Sequence, residues 1–211
     1  MVKWDQEQLM WDDPHGLVFM GGDLEPETLL EAYRRGIFPW FNEDDVYLWW
    51  SPDPRSIFEF ETIHFSKRLL RTVRQQKFDI TINQAFPTVM GGASLRPEGT
   101  WITGDMFMAY CELHELGYAH SVEAWRDGKL AGGIYGVAVG GFFAAESMFH
   151  FETDAGMVAM VHLVQHLQKQ GFTLLDTQLA TEHTRRLGAV DIPRREYLKR
   201  VQDAVKLPVK F

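Results

Sequence analysis

The amino-acid sequence predicts an α+β fold. Three strand patterns follow one another across turn signals between residues 120 and 148. A helix with a repeating apolar face spans 155–170, and a further strand runs over 174–178. With 211 residues, 45% of them apolar, the chain can bury one substantial core, or a medium domain with a small companion.

From the N-terminus, Gly21-Gly22-Asp23-Leu24-Glu25-Pro26 makes a turn into a helix, since proline suits a first helical position. Leu29, Leu30 and Tyr33 recur along that helix and Gly36 ends it. Aromatics and prolines over 37–55 are too dense for regular structure throughout. Ser66 caps a helix over 67–76 with Leu69, Leu70 and Val73 facing inward. Gly91-Gly92 starts a loop that ends at Gly99-Thr100-Trp101-Ile102-Thr103, and a helix over 105–116 is stopped by Gly117. Strands over 120–125 and 130–137 join through Asp127-Gly128, a hairpin signal, and Gly140-Gly141 turns the chain into a third strand over 142–148. In the next helix Met157, Met160, Val161, Val164 and Leu167 have the spacing of a buried face, and Gly171 terminates it. A short helix over 181–187 closes at Gly188, and Pro193 precedes a charged helical stretch through Lys199. Helix, three-strand meander, helix, strand, helix is the order of an acyl-CoA N-acyltransferase-like (GNAT-like) domain, whose central sheet opens as a cleft.

The net charge of -8 is unevenly placed. Residues 1–53 carry 12 acidic against 3 basic side chains, whereas 54–211 carry 17 against 18. Within the second part Lys67, Arg68, Arg71, Arg74 and Lys77 form a local cation patch with no acid between Ile63 and Phe78, so a polyanion has a place to approach. The opening residues lack an apolar leader and no window approaches the roughly 18 apolar residues of a spanning helix, which predicts a cytoplasmic protein without a membrane partner. Cys111 is the only cysteine, which excludes internal disulfides and a cysteine-based zinc site and reads as a small core residue. His162 and His166 lack an intervening Glu and a third ligand, so an exposed helix face is the reading and no metal is expected. The Gly-x-Ser-x-Gly elbow, the Walker loop and a Gly-x-Gly-x-x-Gly after a strand are all missing, and no cofactor is expected.

Asp176 and Gln178 stand two apart on a strand, so their side chains leave one face and can act at one site, or simply meet solvent at the strand's end. Glu146 lies inside the apolar run Phe142-Phe143-Ala144-Ala145-Glu146-Ser147-Met148. There a carboxylate must find a partner such as Arg, stay at the sheet edge, or serve a cationic ligand. Trp40 and Trp101 lie in loop-like segments where an indole either stacks on a base or merely packs. The basic helix either tracks a phosphate backbone or is a solvated face.

Several strings occur together and in order: Tyr33-Arg34-Arg35-Gly36-Ile37-Phe38-Pro39-Trp40-Phe41, Leu48-Trp49-Trp50-Ser51-Pro52-Asp53-Pro54-Arg55, Gly99-Thr100-Trp101-Ile102-Thr103, Glu146-Ser147-Met148-Phe149 and Asp176-Thr177-Gln178. Over residues 16–198 the chain resembles the leucyl/phenylalanyl-tRNA-protein transferases. The resemblance implies a small N-terminal domain, 1–53, and an acyltransferase-like catalytic domain, 54–211, that takes aminoacyl-tRNA in place of acyl-CoA. It implies that Trp40 and Trp101 hold the terminal adenosine, that Lys67, Arg71 and Arg74 contact the acceptor stem, and that Asp176, Gln178 and Glu146 form the reacting centre. Such enzymes load Leu, Phe or Met onto proteins beginning with Arg or Lys, marking them for degradation. On that footing Gln178 contacts the acceptor amine, Asp176 orients and polarises it, and Glu146 favours a cationic acceptor. Met148 and Met160 line the aminoacyl pocket, with Phe143 and Leu175 as its walls. A monomer is expected.

One segment departs from that family's pattern: His150-Phe151-Glu152-Thr153-Asp154-Ala155-Gly156-Met157 stands where a basic residue and Ala-Ser-Lys are usual, so two acids make this helix start less attractive to phosphate. Two rival classes are an acyl-CoA-dependent N-acyltransferase, which needs a glycine-rich pyrophosphate turn at this point, and a non-catalytic peptide- or RNA-binding module.

Overall fold

The computed structural model describes Trp4 and residues 9–95 and 100–211; the rest of the opening segment and Gly99 lie outside the described residues. The chain begins with β1 (Leu17–Met20), α1 (Pro26–Arg34), β2 (Phe38–Pro39) and β3 (Leu48–Trp50). These strands make an antiparallel sheet in the order β1-β3-β2. The proline-dense segment thus holds two short strands after all. Pro39 is tolerated because β2 is an edge strand, where a missing N–H breaks no ladder.

The remainder runs β4 (Arg55–Phe58), α2 (Lys67–Arg74), β5 (Asp79–Ile82), α3 (Phe86–Ser94), α4 (Gly104–Glu115), β6 (Ala119–Arg126), β7 (Lys129–Val139) and β8 (Phe142–His150). It continues through α5 (Ala155–Gln170), β9 (Leu174–Gln178), α6 (Glu182–Arg186), β10 (Val190–Ile192) and α7 (Arg194–Ala204). The strands form a seven-stranded sheet ordered β10-β4-β9-β8-β7-β6-β5, in which β8 and β9 are the one parallel pair. The meander, α5 and β9 lie where the sequence places them. Asp127 and Gly128 at φ 51° and 71° supply the mirror-image turn that matches strand twist.

Alternation along β7 divides the interior. Tyr135, Val137 and Val139 enter a core shared with α1, α3, α4 and α7, while Ile134 and Ala138 enter a second core under α2 and α5. The first core also contains Leu29, Ile37 and Trp49, so the N-terminal sheet and the larger sheet pack as neighbours across one apolar interior.

Gly91 and Gly92 belong to α3 rather than to a loop. A Cβ on Gly92 would lie 2.4 Å from the Phe149 ring, so this glycine serves close helix–strand approach. The final helix runs past Lys199 to Ala204, held by the buried face Tyr197, Val201 and Ala204. His162 and His166 are half-buried rather than exposed, with the His166 ring against Phe211. Among the described residues there is no metal-ligating cluster and no helix long and apolar enough to cross a membrane.

Candidate active site

The parallel strands β8 and β9 pair only at Phe142 with Leu174, Phe143 with Leu175 and Ala144 with Asp176. Beyond these, each strand carries an extra residue relative to its outer neighbour. Tyr135 pairs Ser147 while Gly136 pairs Ala145, leaving Glu146 over; Ile57 pairs Asp176 while Ser56 pairs Gln178, leaving Thr177 over. Bulges bend strands and re-aim side chains, and here they part the sheet at the carboxyl ends of its parallel pair, where open sheets bind ligands. The first bulge depends on Gly136, whose added Cβ would lie 2.2 Å from the Ala144 carbonyl oxygen.

Two cavities meet at this cleft and share Glu146, Thr177, Gln178 and Leu179. One, of about 130 Å³, is walled by Phe38, Pro39, Trp40 and Trp101. The other, of about 220 Å³, has an apolar lining that includes Phe58, Ile134, Met148, Met160 and Leu187, with His183 and Thr184 on α6 at one side. Trp40 is 43% exposed, and its carbonyl accepts from Trp50 Nε1 at 2.7 Å, which fixes the loop that presents it.

Glu146 Oε1 accepts from the Tyr33 hydroxyl at 2.8 Å and from Gln178 Nε2 at 3.0 Å. Tyr33 in turn meets the Tyr110 hydroxyl, both phenols being fully buried. Among the described residues no cation forms an ion pair with Glu146. Burial pushes its carboxyl up to about 8, the Asp176 charge adding to that, while the Tyr33 bond, Arg55 and Gln178 pull partly back.

Asp176 lies two residues from Gln178, but the bulge at Thr177 and a left-handed Gln178 (φ 57°) break the alternation. The Asp176 carboxylate lines neither cavity. It takes Arg55 Nε at 2.9 Å and Nη2 at 2.6 Å, the Tyr197 hydroxyl at 2.8 Å, and the Gln178 backbone N–H at 2.9 Å. Arg55 lies between the rings of Phe38 and Tyr197, with its guanidinium carbon 4.7 and 4.5 Å from their centroids. Burial weakens the hold of Arg55 on its proton, but the charge and hydrogen bonds of Asp176, with Tyr197 and Glu146, together more than offset this and the guanidinium is held more firmly than usual. Direct polarisation of an amine by Asp176 is therefore corrected: its oxygens are committed to buried donors, and it acts on the cleft through its hydrogen bond to the Gln178 backbone and its charge on Glu146.

Phe143 and Leu175 are also corrected. Both are fully buried in the second core, where the strands are still paired, and neither walls the apolar cavity. Met148 and Met160 do line it. Lys67, Arg71 and Arg74 are exposed at helical spacing on α2, and none is in an ion pair among the described residues. Arg68 on the same helix is instead bound to Asp154 at 2.7 and 2.9 Å, and Glu152 to Arg126 at 2.8 Å, so both acids of the departing segment are neutralised. Arg55, Tyr197, Tyr33 and Tyr110 escaped the sequence reading as site residues. An arginine heading the apolar strand Ile57-Phe58 was the available signal for the first.

The profile of the leucyl/phenylalanyl-tRNA protein transferase family matches residues 57–202, and that of the family's N-terminal domain matches 22–53. The leucyl/phenylalanyl-tRNA--protein transferase of Shewanella denitrificans is 50% identical over 187 residues, 88% of this chain and 80% of its own. The Nitratidesulfovibrio vulgaris enzyme of the same name is 48% identical over 202 residues, 94% and 86% respectively. Among solved structures, a conserved protein of unknown function from Staphylococcus epidermidis aligns at TM-score 0.45 and 10% identity, over 84% of this chain and 68% of that one. With both family profiles matched in order and relatives half identical over most of their length, the chain belongs to the leucyl/phenylalanyl-tRNA protein transferase family.

Proposed function

We propose that the cleft binds the aminoacylated 3′ end of a tRNA across the sheet and passes the aminoacyl group to a protein N-terminal amine. One observation carries this reading: an indole-walled cavity and an apolar cavity meet at Glu146 and Gln178. Adenine stacks between Trp40 and Trp101, the apolar aminoacyl side chain enters the cavity lined by Met148 and Met160, and the ester lies at the splay of β8 and β9. Lys67, Arg71 and Arg74 neutralise acceptor-stem phosphates, which gives affinity without sequence readout.

Little activation is required, because an aminoacyl ester is already reactive and an α-amine with a pKa of roughly 7.7–8.0 is partly neutral near pH 7. Gln178 donates its amide N–H to Glu146, which leaves its carbonyl oxygen to accept from the acceptor amine. Asp176, clamped by Arg55 and Tyr197, holds the Gln178 backbone in its left-handed conformation, so it is a positioning residue. Alignment of amine and ester supplies most of the acceleration. The donors are Leu, Phe and Met, since an unbranched Met lining adapts to each, and the acceptors begin with Arg or Lys. The enzyme works as a cytoplasmic monomer without a cofactor and marks its products for degradation.

The deciding assay combines purified protein with charged Leu-, Phe- or Met-tRNA and peptides beginning with Arg, Lys, Asp or Glu. Mass spectrometry should show one aminoacyl residue added to the Arg and Lys peptides. Binding of acetyl-CoA with no such addition would establish the rival N-acyltransferase. No addition with Asp176→Ala and Gln178→Ala indistinguishable from wild type in peptide binding would leave a non-catalytic module.

A further inference from the structure

We propose that Glu146 is the proton shuttle of the transfer, taking a proton from the attacking amine and delivering one to the ribose oxygen that leaves. This rests on the aminoacyl-transfer reading above and adds a chemical role for one of its residues.

The geometry of the carboxyl carries the inference. Oε1 accepts two hydrogen bonds, from Tyr33 and from Gln178 Nε2. Oε2 has no partner among the described residues, while the side chain borders both cavities. In the neutral acid the proton therefore belongs on Oε2, because Oε1 already faces two donors. An acidic hydrogen without a protein acceptor then stands where the indole-walled cavity, which takes the adenosine, meets the apolar cavity, which takes the aminoacyl side chain. The atom between those two groups is the ester oxygen of the ribose.

The groups around Glu146 favour a neutral resting acid that can ionise briefly. Arg55 on β4 faces it from behind Asp176 on β9, and those two charges are committed to each other. Tyr33 of α1, Tyr110 of α4 and Tyr197 of α7 present phenols whose loss of a proton burial opposes, so they donate and do not compete as acids. His183 of α6 lines the apolar cavity and not the one walled by the tryptophans. The carboxyl, raised to about 8, is matched to an amine of similar pKa.

The chemistry needs this proton. When the amine nitrogen bonds to the ester carbon, the tetrahedral adduct bears an ammonium and an oxyanion. A ribose alkoxide is a poorer leaving group than the neutral amine, so an unassisted adduct reverts. Glu146 Oε2 protonates the ribose oxygen as the C–O bond breaks and the carbonyl re-forms. The ammonium then returns a proton to the carboxylate, which Tyr33 and Gln178 stabilise in the interval. The products are an amide and a free ribose hydroxyl, and Glu146 is neutral again.

The test is single-turnover transfer from Leu-tRNA to a saturating Arg peptide, followed from about pH 6 to about pH 9. Wild type should give a bell: rising as the amine loses its proton, and falling as Glu146 ionises. Glu146→Gln keeps the shape without the acid, so the rate constant should drop by about 10²–10⁴-fold and the falling limb should vanish, with donor Kd unchanged. Tyr33→Phe removes one donor to the carboxylate and should move the falling limb to higher pH, a shift that a purely structural tyrosine would not cause. It also provides the decisive readout if Glu146→Gln does not fold. A wild-type rate and bell in Glu146→Gln overturns the shuttle, as does a higher acceptor KM with an unchanged rate constant, which would make Glu146 a selector of acceptor charge. An unmoved limb in Tyr33→Phe overturns it equally. Failure of wild type to transfer any aminoacyl group would instead reject the functional reading beneath it.

Discussion

Replacing Asp176 by Asn keeps its shape and removes its charge, and the surroundings fix what that costs. The carboxylate accepts four hydrogen bonds, two from Arg55, one from Tyr197 and one from the Gln178 N–H, with Arg55 and Asp176 only 1% and 0% exposed. An asparagine turns an N–H₂ toward donors and leaves the Arg55 charge buried without its counter-ion. Breaking a buried pair in this way costs about 3–5 kcal/mol. For a chain of this size each kcal/mol moves Tm by about 2–4 °C, so Asp176→Asn should melt about 10 °C below wild type. The double variant Arg55→Met with Asp176→Leu removes both charges and should recover most of that stability, since well-packed apolar replacements are often neutral. It should not recover turnover, because the Gln178 backbone has lost the oxygen that holds it. Urea unfolding and single-turnover transfer on the same preparations separate the two effects. An Asp176→Asn protein within about 1 kcal/mol of wild type, or a double variant with wild-type turnover, would refute the clamp.

The other expectations are simpler. The native Glu146 carboxyl titrates at about 8 and the unfolded one near its ordinary value of 4.5, so between these the native state holds a proton the unfolded state lacks and stability falls as pH rises. Glu146→Gln should therefore be more stable than wild type at pH 8 and equal to it below the unfolded pKa; urea midpoints at the two pH values check the sign. Replacing Lys67, Arg71 and Arg74 together by Ala should raise donor KM and reduce the slope of log affinity against log salt by about two to three, measured by filter binding; an unchanged slope moves the tRNA footprint elsewhere. Trp40→Ala and Trp101→Ala should each weaken charged-tRNA binding by about 1–3 kcal/mol and leave acceptor KM unaltered in steady-state assays.

Local order was legible where punctuation is local. α5 begins and ends where its apolar spacing and Gly171 require, and Asp127-Gly128 fixed the hairpin between β6 and β7. The site was legible only in part, because its geometry belongs to relations between strands. Glu146 stood out as an acid in an apolar run, but that it is the extra residue of a bulge depends on the register with β7. Asp176 also sits in an apolar run, after Leu174 and Leu175, and Arg55 heads another; their partnership spans 121 residues and leaves no periodic trace. Weighing the two misplaced charges together would have suggested the pair. The error at Phe143 and Leu175 has the same origin: they face each other in the paired part of β8 and β9, and the cleft opens only beyond Ala144 and Asp176. Gly91-Gly92 misled because a glycine pair signals a turn as readily as a close contact.

In the proposed function one aminoacyl-adenosine lies across the parted sheet. A crystal structure of the protein with a hydrolysis-resistant 3′-amide analogue of leucyl-adenosine tests it most directly. Adenine is expected between Trp40 and Trp101, the leucyl side chain against Met148 and Met160, and the 3′ nitrogen within hydrogen-bond reach of Glu146 Oε2. An analogue held wholly within one cavity, or bound away from the splay of β8 and β9, would contradict it.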